Sequence, residues 1–142
     1  MSSNPLDKLV DIGILKAEPV AHDEYEGLVR SGRMRLVDAS NENLAFESRF
    51  DLAYNGAFSL ALAALRRHGY RPGNRYVVFQ ALPHTLGLGP DVWATLAECR
   101  RRRNASEYEG YLDTDKQLLS DLISVAGLVL EAVEKLDPPR KT

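Results

Sequence analysis

The chain has 142 residues and a formal net charge of −2 at pH 7, which fits one compact domain and excludes attraction to nucleic acid by overall charge. Its single cysteine, Cys99, excludes a disulfide within the chain, and its three separated histidines lack the spacing of a metal site. The N-terminus does not resemble a signal peptide and the longest apolar run is too short for a bilayer, so we expect a cytoplasmic protein without membrane association, metal or cofactor.

The N-terminal part of the chain predicts two helices. Asn4-Pro5 opens the first, because proline is tolerated in the first turn, and apolar residues then recur at helical spacing as far as residue 14. After Pro19 a second helix is predicted over residues 21–38. Gly27 and Gly32 weaken its pattern, which we interpret as a place where another element packs closely.

The strongest helical pattern lies between Asn43, a predicted N-cap, and Gly69, a predicted C-terminal stop. Phenylalanine, alanine and leucine recur there at three- and four-residue steps. Both sides of this helix are apolar, so we expect it at the centre of a bundle. Its many alanines predict close approach of the neighbouring helices.

The segment after the long helix is ambiguous. Pro72-Gly73 predicts a turn, and "YVVFQALPHTLGL" is compatible with a strand or with a helix that ends near Pro83. The helix is favoured, since no partner strand is visible. Pro90 then opens a further helix through Asn104, and "EGYLD" is predicted as a loop.

The C-terminal region predicts one more helix. Thr114 and Gln117 have the spacing of a capping box, and the apolar residues that follow keep helical steps until Asp137-Pro138. The sequence as a whole predicts an all-α fold, an up-and-down bundle of five to six helices. We expect one domain over residues 1–142, with a core at residues 44–136 onto which the helices of residues 5–38 pack.

The arginine run "CRRRRNASEYEG" is the most unusual stretch of the chain. At about 100° per residue, four polar positions share one side of the helix. They are Arg100, Arg103, Asn104 and Glu107. Arg101 and Arg102 point elsewhere, so the four arginines do not form one flat patch.

Two interpretations of this run stay open. Charged runs are usually solvated helix surface, and Arg103 with Glu107 has the spacing of an i,i+4 ion pair. Against this, Asn104 is a poor helix former, and Tyr108 and Tyr111 crowd the same helix end. Arginine, asparagine and phenol side chains together are typical of phosphate and ribose contacts. The other notable residues are Cys99, expected to be small and buried, and Trp93, expected to be a core or interface anchor.

Two stretches carry a resemblance to a known family. "RFDLAYNGAFSLALAALRRHGYRPG" and "RRRRNASEYEG", in this order, resemble the long alanine-rich helix and the arginine motif of HEPN domains (higher eukaryotes and prokaryotes nucleotide-binding). These all-helical domains are frequent in bacterial toxin–antitoxin and defence systems. The resemblance implies a homodimer that brings two arginine motifs together in a cleft. It also implies a metal-independent endoribonuclease in active members, which act on RNA through its 2′-hydroxyl.

Mapped onto this chain, the resemblance assigns catalytic positions to Arg103, Asn104 and Tyr108. Tyr108 stands where the active motif has histidine, and a phenol with an ordinary pKa near 10 is a poor general base at neutral pH. Arg100, Glu107 and Tyr111 are the expected substrate contacts. Some HEPN proteins pair with a minimal nucleotidyltransferase antitoxin that modifies a tyrosine near the motif, which makes Tyr108 and Tyr111 candidates for that modification.

The sequence therefore leads to a first hypothesis and two alternatives. The first is a dimeric HEPN-type protein of a toxin–antitoxin or defence system that contacts RNA or nucleotide through Arg103 and Asn104, as a binder or a degenerate ribonuclease. The second is a non-catalytic helical dimer that binds a protein partner such as the nucleotidyltransferase. The third is a structural dimer in which Arg103 and Glu107 simply pair.

Overall fold

The computed structural model describes residues 4–112 and 114–141. Within these residues the chain forms seven helices and two short strands. In chain order they are α1 Pro5–Asp11, β1 Leu15–Ala17, α2 His22–Ala39, α3 Phe46–Arg67, β2 Tyr70–Pro72, α4 Tyr76–Gln80, α5 Leu82–Thr85, α6 Pro90–Glu109 and α7 Lys116–Glu134. The predicted all-α helical bundle is confirmed in its class, but the described residues form seven helices where five to six were predicted. No helix of the described residues combines the length and the apolar character that a membrane crossing requires.

The long helix α3 occupies the centre of the bundle, as its two apolar sides predict. Phe50, Leu60 and Leu65 are fully buried, and the alanines between them are equally inaccessible. Helices α2 and α7 make its largest contacts. The helix begins at Phe46 after Ala45, whose side chain makes no capping bond, so the predicted N-cap at Asn43 is wrong.

Helix α2 runs antiparallel to α3 and approaches it closely at two glycines. A Cβ atom at Gly32 would lie 2.5 Å from the side chain of Leu60, and one at Gly56 would lie 2.9 Å from Leu36. Near the same crossing, the hydroxyl of Ser59 donates a hydrogen bond of 2.8 Å to the carbonyl of Leu28. The predicted close approach is therefore confirmed at Gly32. It is wrong at Gly27, where a Cβ would meet nothing within 4 Å.

These two glycines give a matched pair of substitutions. We expect Gly32→Ala to destabilise the protein by about 2 kcal/mol, because overpacking pushes α2 away from α3. Gly27→Ala, in the same helix, should instead raise stability by up to about 1 kcal/mol through helix propensity alone. Urea unfolding followed by circular dichroism measures both. Equal effects of the two changes would contradict the packing described here.

Helix α7 lies parallel to α3. The backbone N–H of Leu112, just before α7, approaches the carboxylate of Glu47 in the first turn of α3 at 3.3 Å. At the other end, Nε of Arg67 donates to the carbonyl of Asp137 at 2.6 Å. The two helices therefore begin at the same end of the bundle.

The two strands were not predicted. Leu15–Ala17 and Tyr70–Pro72 pair antiparallel, with Leu15 opposite Pro72 and Ala17 opposite Tyr70. The ladder continues beyond the strands through the N–H of Glu18, which donates to the carbonyl of Gly69 at 2.8 Å. This ribbon fastens the N-terminal segment to the end of α3. The turn predicted at Pro72 and Gly73 thus begins only after a strand.

Three further boundaries correct the sequence predictions. The segment of residues 76–88 is helical as favoured, but it is divided into α4 and α5. Helix α6 continues past Asn104 to Glu109, and it ends at Gly110, whose φ of 77° terminates the helix in the left-handed region. The capping box of Thr114 and Gln117 does not form. Asp115 is the N-cap, and its side chain accepts from the N–H of Leu118 at 2.9 Å.

Candidate functional site

The orientation of α6 decides where its arginines point. Val92, Leu96 and Cys99 are its buried residues, and they mark the side that faces α3 and α7. Burial raises the pKa of the Cys99 thiol to about 12, which fits the predicted small core residue. Seven residues after Leu96, Arg103 lies on this same inward side. Trp93 is 36% exposed and is not a core residue of the single chain.

Arg103 is held against α3. Its Nε lies 3.4 Å from Oδ1 of Asp51, close enough for an ion pair although the orientation does not make a hydrogen bond. Its guanidinium carbon lies 5.0 Å from the centre of the Tyr54 ring, and its side chain is 28% exposed. The ionic partner of Arg103 is therefore Asp51, and among the described residues no ion pair joins Arg103 to Glu107.

Two more arginines cover aromatic rings near Arg103. The guanidinium carbon of Arg100 lies 3.3 Å from the centre of the Tyr76 ring, and that of Arg75 lies 4.0 Å from the centre of Phe58. We call these three arginines and their rings the arginine–aromatic face. It consists of Arg75, Arg100, Arg103, Tyr54, Phe58 and Tyr76. Cation–π contacts of this kind fix the arginine side chains and leave their outer N–H groups available to a ligand.

Two rings of the arginine–aromatic face, those of Tyr54 and Phe58, rest on Phe79 of α4. Its ring meets those of Tyr54 and Phe58 edge to face, with centres 5.7 and 5.8 Å apart. Burial raises the pKa of Tyr54, while the positive charges of all three arginines oppose that rise. The three charges thus act on one buried ring, that of Tyr54, which is 3% exposed. Asp51, 58% exposed, is the carboxylate in ion-pair contact with Arg103.

The six residues predicted for the site do not all come together. Arg100 and Arg103 belong to the arginine–aromatic face, and Asn104 is exposed on the same helix. Tyr108 is 91% exposed and lies about 140° around the helix from Arg103, so the two side chains do not converge within one chain. Glu107 and Tyr111 are exposed as well.

The remaining arginines of the run have another partner. Arg101 and Arg102 both pair with Glu98, and the Arg102 Nε lies 2.7 Å from Oε1. They lie on the other side of α6, in agreement with the prediction that Arg101 and Arg102 point elsewhere. The run is therefore divided between a pair in contact with Glu98 and a pair set over aromatic rings.

Sequence reasoning missed Arg75, Tyr54, Phe58 and Tyr76 of this face, and it missed Asp51 beside it. Arg75 and Tyr76 fall at the edge of the segment read as a turn, and Asp51, Tyr54 and Phe58 were read only as part of the long helix. A signal was present, because Asp51 and Tyr54 are three residues apart and therefore share one side of a helix. Nothing local connects them to Arg103, which is about fifty residues away in the chain.

In the described parts of the chain, no three His, Cys, Asp or Glu side chains are placed to hold a metal ion. Comparison of the chain with protein-family models, with curated proteins and with solved structures gave no match.

Proposed function

We propose that this chain is a HEPN-type protein that contacts RNA through the arginine–aromatic face, as part of a toxin–antitoxin or defence system. The observation that carries the proposal is the placement of Arg75, Arg100 and Arg103 over aromatic rings on one surface. Guanidinium groups bind phosphate oxygens through planar pairs of N–H groups. Of the three rings only Tyr76 is exposed, at 55%, so it is the ring on which a base would stack.

The motif resemblance supports the same assignment. Arg103, which belongs to this face, and Asn104, the next residue of α6, match the first two positions of the HEPN arginine motif. In a homodimer that meets along α6, two such faces would border one cleft. The net charge of −2 means that only this local cluster, and no overall field, would attract a polyanion.

The proposal covers binding and assigns no cleavage step. Cleavage by the motif requires a proton-transferring group near the phosphate that the arginine holds. Tyr108 takes the place of the motif histidine and points to another side of α6. We therefore expect single-stranded RNA to bind and to remain intact in the presence of EDTA. Metal-independent cleavage that Arg103→Ala abolishes would instead restore the ribonuclease hypothesis.

One observation favours a second candidate, the binding of a protein partner such as a nucleotidyltransferase antitoxin. Tyr108 and Tyr111 are 91% and 59% exposed at the end of α6, where an enzyme has free access to both hydroxyls. This candidate predicts no RNA affinity at low salt. It also predicts transfer of a nucleotidyl group to one of these tyrosines when the partner enzyme is supplied with nucleotide.

The test of the RNA proposal uses the carboxylate beside Arg103. We expect Asp51→Asn to raise affinity for a single-stranded RNA about three- to fivefold, because it removes a negative charge in contact with Arg103. Fluorescence anisotropy at low salt measures the change. Glu98→Gln is the matched control, since it changes the net charge equally but removes the carboxylate that pairs with Arg101 and Arg102 on the other side of α6.

The comparison of Asp51→Asn with Glu98→Gln tests whether RNA binds at the arginine–aromatic face. If Glu98→Gln raises affinity as much as Asp51→Asn, only overall charge matters and the assigned face is wrong. If neither variant nor the wild-type chain binds RNA at low salt, the RNA proposal itself is wrong.

A further inference from the structure

A cavity of about 600 Å³ lies at the end of the bundle where α3 and α7 both begin. Its apolar walls come from the segment before α3, the first turn of α3 and the first half of α7. They are formed by Leu44, Phe46, Leu119 and Ile123. Leu44 is 37% exposed, so part of this apolar surface is open to solvent. The volume falls in the range of sites that hold small molecules.

The polar groups of the cavity are mainly cationic. Arg49 and Lys116 line it, together with the carboxylate of Glu42. Nε of Arg49 donates to the carbonyl of Ala39 at 2.8 Å, which fixes the guanidinium at the wall. Within residues 4–112 and 114–141, no ion pair within 4 Å involves Arg49, Lys116 or Glu42. The side chains that line the cavity thus carry a net charge of +1.

Hydroxyl groups and a helix dipole also favour an anion in this cavity. Ser120 and Ser124 line the cavity one turn apart on α7, so both can donate to an acceptor inside it. The first turn of α3 has no side-chain cap, so its positive helix end is open toward this end of the bundle, whereas the carboxylate of Asp115 caps α7. An anionic group is therefore favoured over a neutral or cationic one.

We propose that this cavity binds a small amphipathic carboxylate. The carboxylate lies between Arg49 and Lys116, and a short alkyl chain or single ring covers Leu44, Phe46 and Ile123. A singly charged head group balances the +1 of the lining, whereas a phosphate dianion would exceed it. This site is separate from the arginine–aromatic face, and it does not depend on the function proposed for that face.

Three probes of equal chain length test the head group: octanoate, octanol and octylamine. Each is titrated into the full-length ¹⁵N-labelled chain, and backbone amide shifts are followed by NMR. We expect octanoate to saturate with shifts centred on residues 44–49 and 116–124. Octanol should bind about fivefold more weakly, and octylamine more weakly again. Equal binding of all three, or the absence of saturable shifts for octanoate, would overturn the proposal.

Substitutions of two exposed side chains should change the affinity for octanoate in opposite directions. Lys116→Gln should weaken octanoate about fivefold, and Glu42→Gln should strengthen it by a similar factor. For octylamine the effects should be opposite, so that Lys116→Gln strengthens binding and Glu42→Gln weakens it. Lys135→Gln changes the charge equally at the far end of α7 and should leave octanoate binding unchanged. If Lys116→Gln and Lys135→Gln have the same effect, the carboxylate is not held in this cavity.

Discussion

Replacing Arg66 with alanine is expected to destabilise the protein by about 3–5 kcal/mol, since it breaks a buried charged network. The Arg66 side chain is only 1% exposed. Nε donates to Oε2 of Glu24 at 2.6 Å, and the terminal nitrogens donate to the carbonyls of Glu18 and Pro19 at 2.9 and 3.1 Å. One side chain therefore joins the end of α3 to the start of α2 and the segment before it.

The neighbouring arginine supplies the control. Arg67 is half-buried and donates to the single carbonyl of Asp137, so Arg67→Ala should cost about 1 kcal/mol. Chemical unfolding followed by circular dichroism compares the two variants. Losses of equal size would show that the Arg66 network adds nothing beyond an ordinary surface hydrogen bond.

The same network gives the protein an acid-sensitive element. The hydrogen bond from Arg66 lowers the pKa of Glu24, and that from Arg71 lowers the pKa of Glu18, each below the ordinary value of 4.5. A carboxylate with a lowered folded-state pKa contributes stability above its unfolded pKa and loses it as pH falls through the folded one. The wild-type chain should therefore lose stability below about pH 4.5, and Glu24→Gln should flatten that part of the profile.

The second large effect concerns RNA. Replacing Arg100 and Arg103 together with glutamine is expected to lower affinity for a single-stranded RNA about 100-fold at low salt, because two charge-assisted contacts with phosphate are lost. Glutamine keeps much of the packing over Tyr54 and Tyr76. Anisotropy titrations at several salt concentrations provide the measurement.

The arginine run itself contains the matched control for this double variant. Replacing both Arg101 and Arg102 with glutamine removes the same charge from the same helix, but these two arginines face Glu98 on the other side. This control should lose much less affinity. The slope of log affinity against log salt should fall by roughly 0.7 for each phosphate contact removed, and only in the Arg100 and Arg103 variant. Equal losses in both double variants would contradict the assigned face.

The helices could be predicted from the sequence because their signals are local. The apolar spacing of residues 46–67 and the long apolar run of α7 each lie within one element. Caps were less predictable. The start of α3 has no side-chain signal, since Ala45 is its N-cap, and Asp115 took the place predicted for Thr114 because α7 begins only at Lys116.

The strand pair and half of the site could not be predicted in this way. Leu15 and Pro72 meet across more than fifty residues of chain, and three-residue strands are too short to show an alternating pattern. Arg103 was identified from its motif, and its inward direction follows from its spacing to Leu96. Its partners Asp51 and Tyr54 became visible only when α6 was placed beside α3.

The central claim is that RNA binds at the arginine–aromatic face, and mapping the contact surface by NMR tests it most directly. A short single-stranded RNA is titrated into the ¹⁵N-labelled chain at low salt, and the amide shifts are assigned to residues. We expect the largest shifts in residues 51–58, 75–79 and 97–108, with little change along α2. Saturable shifts confined to α2 and α7 would show that RNA binds elsewhere. The absence of shifts at low salt, where phosphate contacts are strongest, would show that RNA does not bind.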